Sequence, residues 1–201
     1  MSRIVVFENV TLDGVMQAPG APEEDTRNGF TAGGWAPPYA DEVSGRVAGA
    51  GMAESGGILL GRRTYEHFFK VWPKRTDGNP FTEKLNATQK YVVSSTLAEP
   101  LPWQNSTLLA DDPMVAIAEL RRRPGKDIVV LGSGTLVRSL MRHDLVDAYV
   151  LQIHPLFLGT GQRLFADDGT SGKLHLVEVT PTTTGVLIAT YRPETVKEED
   201  R

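Results

Sequence analysis

The chain has 201 residues, enough for one sizeable hydrophobic core and short for two, and its 40% hydrophobic and 23% charged residues suit an ordinary globular domain. A formal charge of −4 excludes general affinity for the nucleic-acid backbone, which requires a basic surplus. The absence of cysteine excludes disulfides, thiolate metal sites and cysteine nucleophiles, and fits a reducing compartment.

The N-terminus, "MSRIVVFENV", enters a strand pattern directly, without the apolar core of a signal peptide, and no stretch reaches transmembrane length, so a cytoplasmic protein is expected. "RIVVFENV" (3–10) reads as the first strand. Residues 11–38, rich in Gly, Pro and Asp, form a segment long enough to suggest a binding loop or lid. From Tyr39 to about Glu54, Val43, Val47, Ala50 and Met52 recur at helical spacing. "GGILLG" (56–61) is a buried-type strand, and "RTYEHFFKVW" (63–72) is a helix that Pro73 ends.

Strands follow at "QKYVVSST" (89–96) and "STLLA" (106–110), then a helix over "DDPMVAIAELRRR" with Asp at its cap and Pro in its first turn. "DIVVLG" (127–132) is a strand, "SGTLVRSLMRH" (133–143) a helix, and "VDAYVLQIHPLFLG" (146–159) a long strand turning at His-Pro. "KLHLVEVTPTTTGVLIATYRP" reads as an antiparallel hairpin. Strands alternating with helices before a β tail imply an α/β fold: a mostly parallel central sheet flanked by helices, with an antiparallel C-terminal hairpin. Residues 1–193 are taken as one domain and 194–201 as a charged, frayed tail.

Two segments share one grammar. "ILLGRRTY" and "VVLGSGTL" each run from an apolar strand through glycine into a helix start bearing hydroxyls. In a parallel sheet both turns lie at carboxyl ends of strands and offer unpaired N–H groups to phosphate oxygens. Arg62 and Arg63 at a helix N-terminus oppose the macrodipole unless an anion lies between them. "VVSST" places Ser94, Ser95 and Thr96 at a third strand end. Neither turn is a P-loop or a G-x-G-x-x-G fingerprint, so a ligand with several phosphates spread along it suits them better. The histidines, at 67, 143, 154 and 175, lack metal-ligand spacing and are given structural roles, and no metal is expected.

"GRRTYE" after a strand, "VVSS" about thirty residues later and "VLGSGTL" about forty beyond that resemble the dihydrofolate reductase-like family. The resemblance is closest to the reductase, C-terminal domain of the riboflavin-biosynthesis bifunctional deaminase-reductase, and extends to "LDGVM" (12–16) and "LVDAYVLQIHPLFLGTGQRLF" (145–165). It implies NADPH as cofactor. Carried over by motif, Arg62 approaches the adenosine 2′-phosphate with Ser94, Ser95 and Thr96 nearby. Arg63 and Thr64, following Gly61, address the pyrophosphate, and the turn Gly132, Ser133, Gly134, Thr135 and Leu136 holds it and passes beneath the nicotinamide. Asn9 and the backbone near Val10 and Met16 meet the carboxamide. Consecutive glycines joined by a cis bond mark this turn in dihydrofolate reductases; Ser133 in the second position leaves that bond open.

The acids offered for catalysis are Asp13, beside a turn glycine, and Asp41, which follows "GGWAPPYA" in loose likeness to the segment that presents an acid to the pterin. Asp41 is equally a helix start. The expected function is transfer of hydride from NADPH to a C=N or C=O bond of a small pterin- or pyrimidine-like substrate, by a symmetric homodimer with no nucleic-acid or membrane partner. The relative's zinc deaminase half has no counterpart, since cysteine and an H-x-E motif are missing, so a stand-alone reductase module is expected. The alternative is a non-catalytic NADPH- or nucleotide-binding sensor.

Overall fold

The computed structural model describes residues 1–165 and 168–194. The expected tail over 194–201 lies outside the described residues apart from Glu194. Eight strands form one sheet: β1 Ile4–Thr11, β2 Ser55–Gly61, β3 Lys90–Val93, β4 Ser106–Leu109, β5 Asp127–Leu131, β6 Ala148–His154, β7 Leu174–Pro181 and β8 Leu187–Pro193. Their order is β4-β3-β2-β5-β1-β6-β8-β7. From β4 to β6 every pairing is parallel, while β8 runs antiparallel to β6 and β7. The sheet is therefore the α/β arrangement expected, with its antiparallel C-terminal edge.

Five α-helices, α1 Glu42–Glu54, α2 Arg62–Val71, α3 Pro80–Ala87, α4 Pro113–Arg122 and α5 Gly134–Arg142, connect the parallel strands. Alternation along β2 separates the two cores: Leu59 joins Ile4, Val6, Val130, Leu136 and Leu140 in one buried cluster, while Ile58 and Leu60 join Met52, Tyr65, Leu85 and Trp103 in the other. Each face of the sheet thus buries an apolar side, as parallel sheets require.

Three local expectations are corrected. The helix expected from Tyr39 begins at Glu42, because Pro37–Tyr39 forms a 3-10 turn and Asp41 is the N-cap of α1. β3 stops at Val93, because Ser94 Oγ accepts the N–H groups of Thr96 (3.1 Å) and Leu97 (3.0 Å) and bends the chain. Helix α3 was not anticipated; Asn79 capping and Pro80 in the first turn were its readable signals.

The long 11–38 segment is anchored by its own apolar side chains. Val15, Ala18 and Phe30 form a third buried cluster, and buried Trp35 donates its Nε1–H to Gln17 O at 2.9 Å. Buried Gln17 ties three stretches together: its Nε2 donates to Asp25 O and Arg27 O, both at 3.1 Å, and its Oε1 accepts from Gln162 N–H at 2.9 Å. Replacing Gln17 with leucine leaves two carbonyls and one N–H without their partner. A loss of about 1–3 kcal/mol is expected in denaturant unfolding, with protease cleavage within 19–29 as the local readout.

Candidate functional site

The parallel register sets β2 and β5 side by side, Leu59 opposite Val130, which brings Gly61, the last residue of β2, beside Gly132, the first residue after β5. The two turns are bonded to each other through Ser133. Its Oγ accepts the Gly61 N–H at 2.8 Å and donates to Thr64 Oγ1 at 2.9 Å, leaving the threonine hydroxyl hydrogen free to donate elsewhere. Gly132 (φ +57°) and Ser133 (φ +68°) both occupy the left-handed region, and the bond between them is trans, the one cis bond among the described residues being Glu99-Pro100. A side chain at Gly132 would press Thr64 Cγ2 at 3.2 Å, and a Cβ on Gly134 would meet Met16 Sδ at 2.5 Å.

Helices α2 and α5 start at these turns, and neither carries a side-chain cap. Helices α1, α3 and α4 are capped by Asp41, Asn79 and Asp112. The first-turn N–H groups of α2 and α5 are thus left for a ligand or for water. Both turns open on a cleft of about 920 Å³. Its walls include Asn9, Met16, Gly61, Arg62, Arg63, Thr64 and the whole turn from Gly132 to Leu136. Arg62 Nη1 lies 3.1 Å from Glu66 one helical turn on, and exposed Arg63 has no ion pair with any described residue. Segment 16–27 also lines the cleft, with Gln17, Glu23, Glu24, Asp25 and Arg27.

Six expected site residues sit elsewhere. Asp41 does not line the cleft: its carboxylate caps α1 through Ser44 N–H (2.8 Å) and accepts both the N–H and hydroxyl of Thr183 at 2.7 Å. Those bonds, the Ser44 backbone first, hold its pKa far below the carboxylate range, which suits an anchor and not a proton donor. Asp13 organises the turn it begins, accepting Thr11 Oγ1–H at 2.5 Å and the N–H groups of Leu158 and Gly159, and its pKa is likewise lowered, mostly by Thr11. Val10, expected to act through its backbone, buries its side chain in the core and does not line the cleft, while its neighbour Asn9 does. Ser94 makes the turn after β3, and Ser95 and Thr96 are exposed outside the cleft.

Two further groups shape the cleft: His154, expected in a structural role, and Glu8, which no motif marks. Buried His154 is neutral: desolvation lowers its pKa to about 4, and its ring meets Trp35 and Tyr39 edge-on. Its Nε2 donates to Asn9 Oδ1 at 2.9 Å, which fixes the amide of Asn9, a residue of the cleft wall, and leaves its hydrogens free to donate. Glu8, on the cleft wall, is 3% exposed, and its Oε1 has no partner among the described residues. Burial first, and the Glu24 charge second, raise its pKa well above the usual range. The signal was legible in period two, since Ile4, Val6, Glu8 and Val10 share one face of β1. No three His, Asp or Glu side chains among the described residues assemble a metal site, and no helix there is long and apolar enough to cross a membrane.

The model of the RibD C-terminal domain family matches residues 2–188. The chain belongs to the RibD C-terminal domain family. Membership supports a reductase-type function. The Bacillus subtilis (strain 168) protein YyaP, itself uncharacterized, is 32% identical over 140 residues, 67% of this chain and 72% of its own length. Among solved structures, a Shewanella sp. PV-4 protein described as belonging to riboflavin biosynthesis superposes with a TM-score of 0.68 at 20% identity, covering 96% of this chain and 99% of that one. The Enterococcus faecalis dihydrofolate reductase, solved with NADP(H), gives 0.58 at 12% identity, covering 95% and 96%. At such identities these likenesses establish the fold alone, one that this chain shares with dihydrofolate reductase.

The His154 shift carries a pH signature. The folded pKa lies below the unfolded value of 6.5, so the stability linked to neutral His154 is complete above pH 6.5 and is lost as pH falls toward about 4. Melting temperature should drop across that window, by the equivalent of up to ~3 kcal/mol. The drop should shrink in His154→Gln, whose amide can still reach Asn9.

Proposed function

We propose that the chain is an NADPH-dependent reductase that transfers hydride to a C=N or C=O bond of a small pterin- or pyrimidine-like substrate. The observation that carries this reading is the pair of uncapped helix starts at neighbouring strand tips, flanked by Arg62 and Arg63 on one cleft. Two like charges at a helix N-terminus cost about 0.3–1 kcal/mol each, and the exposed Glu66 pair returns less than 1 kcal/mol to one of them. A phosphate reverses that balance, because charge-assisted bonds from arginine are worth about 1.5–3 kcal/mol each.

The residues present fit a dinucleotide. Backbone N–H groups of α2 and α5, the Thr64 hydroxyl and Arg63 suit the pyrophosphate, and Arg62 suits the 2′-phosphate. Gly134 lets Met16 lie against the turn, forming an apolar seat for a flat ring, and Asn9, oriented by His154, offers its amide to a carboxamide. When bound, the nicotinamide supplies the hydride; the protein orients it and excludes water. Asp41 and Asp13 take no part in the chemistry on this reading, because their oxygens are engaged outside the cleft.

Arg62→Ala should weaken NADPH by about 1.5–3 kcal/mol and leave NADH nearly unchanged in calorimetric titration, since only NADPH carries the 2′-phosphate. Equal losses for the two would remove the assignment. A sensor without turnover would bind NADPH tightly and leave it unoxidised by pterins and pyrimidines in stopped-flow mixing.

The reading includes a homodimer. β7 is the outer strand of the sheet, and Leu176, Val177 and Val179 on it are about half exposed. A long apolar edge of this kind invites pairing with another chain. Light scattering at micromolar concentration should return twice the monomer mass.

A further inference from the structure

Apart from Glu8, the acids around the cleft are engaged or exposed. Glu24 Oε2 accepts the N–H groups of Gly20 (2.6 Å) and Ala21 (3.3 Å), Asp25 pairs with Arg27, Glu66 pairs with Arg62, and Glu23 is exposed. Glu8 lines the same cleft, and its Oε1, buried behind the cleft wall, has no partner among the described residues. A buried polar atom left unbonded is disfavoured, and beside a cleft its partner is an ordered water or a group of the ligand. An uncompensated buried carboxylate is worse still, so the group keeps its proton.

The surroundings favour a neutral acid: the Asn9 backbone N–H draws Glu8 toward the carboxylate, and burial and the Glu24 charge outweigh it. The flanking strands set apolar Leu131 beside Phe7 and Leu151 beside Glu8. On the segment after β1, Glu24 raises the proton affinity of Glu8, while Glu23, Asp25 and Arg27 have no resolved effect on it. Helix α2 brings Arg62, Arg63, Glu66, His67 and Lys70 to the cleft, and His143 follows α5; none of these acts on Glu8 either. No cation is placed to ionise it.

We propose that Glu8 is the acid of this cleft, giving its proton to the substrate atom that takes up the electron pair as hydride reaches the neighbouring carbon. This rests on the reductase reading above. The carbon of the C=N or C=O bond gains hydride from the reduced nicotinamide, the π-electron pair shifts to nitrogen or oxygen, and that atom takes the proton from Glu8. The carboxylate left behind recovers a proton from solvent, so each turnover consumes one NADPH and one proton. The two transfers are coupled by charge. A reduced nicotinamide ring is neutral and an oxidised one is cationic, and a nearby cation favours the carboxylate. Loss of hydride therefore loosens the proton.

The test uses the full chain with NADP+ and NADPH as probes. Carbon-13 NMR of glutamate-labelled protein identifies the Glu8 signal as the one missing from Glu8→Gln, or from Glu8→Asp where the first variant does not fold. Glu8 should be protonated at neutral pH in the free protein, and its titration should move to lower pH by about one pH unit or more when NADP+ replaces NADPH. An ionised Glu8 in the free protein, or the same titration in both complexes, overturns the proposal. Flat calorimetric traces with both dinucleotides remove the reductase reading itself, and the proposal with it, and are distinguished by the absence of any binding.

Discussion

Two strands distant in sequence and adjacent in space decide the character of this protein. With Leu59 opposite Val130, the Gly61 and Gly132 turns finish together, and the helices after them start within hydrogen-bonding reach. Ser133 joins them. A non-glycine residue at φ +68° carries a strain of order 1 kcal/mol, and the two bonds of its Oγ to Gly61 and Thr64 offset it. The hydroxyl that locks the turns together leaves both sets of first-turn N–H groups unbonded. The site is stiff because its donors belong to helices rooted in the sheet, and it is open because those helices lack the side-chain caps that close the other three.

Charge divides the cleft. Arg62, Arg63, His67 and Lys70, with one acid, Glu66, line the part built by α2, while Glu8, Glu23, Glu24 and Asp25, with one cation, Arg27, come from β1 and the segment after it. The acidic wall is held in shape by bonds within itself: Gln17 spans to Asp25, Arg27 and Gln162, and Glu24 closes its own turn. The long segment after β1 is therefore as much a part of the site as the glycine turns, although it contains almost no regular structure.

Much of the fold was legible. Apolar runs closing on glycine located β2 and β5, Asp-Pro located α4, and the Pro/Thr/Gly turn between alternating runs located the β7–β8 hairpin, because each signal is local chemistry of the backbone. The acids were misjudged for the same reason. Asp13 beside glycine and Asp41 before a helix look alike on paper whether they face a ligand or a loop. Only the approach of Leu158–Gly159 and of Thr183, more than 140 residues away in both cases, shows where their oxygens are spent. Ser94 was readable as a hydroxyl at a strand end and unreadable as the residue that bends the chain there.

The sequence alone determined most of the strands and helices, α3 excepted, and it placed glycines, hydroxyls and arginines at strand ends, since period and turn chemistry act over a few residues. Which ends meet was decided by the sheet order, through pairings that no local pattern encodes. The tertiary structure likewise decided the state of Glu8 and His154. Protonation depends on how much water and charge the rest of the chain leaves around a group, and that is known only once the chain has closed over it.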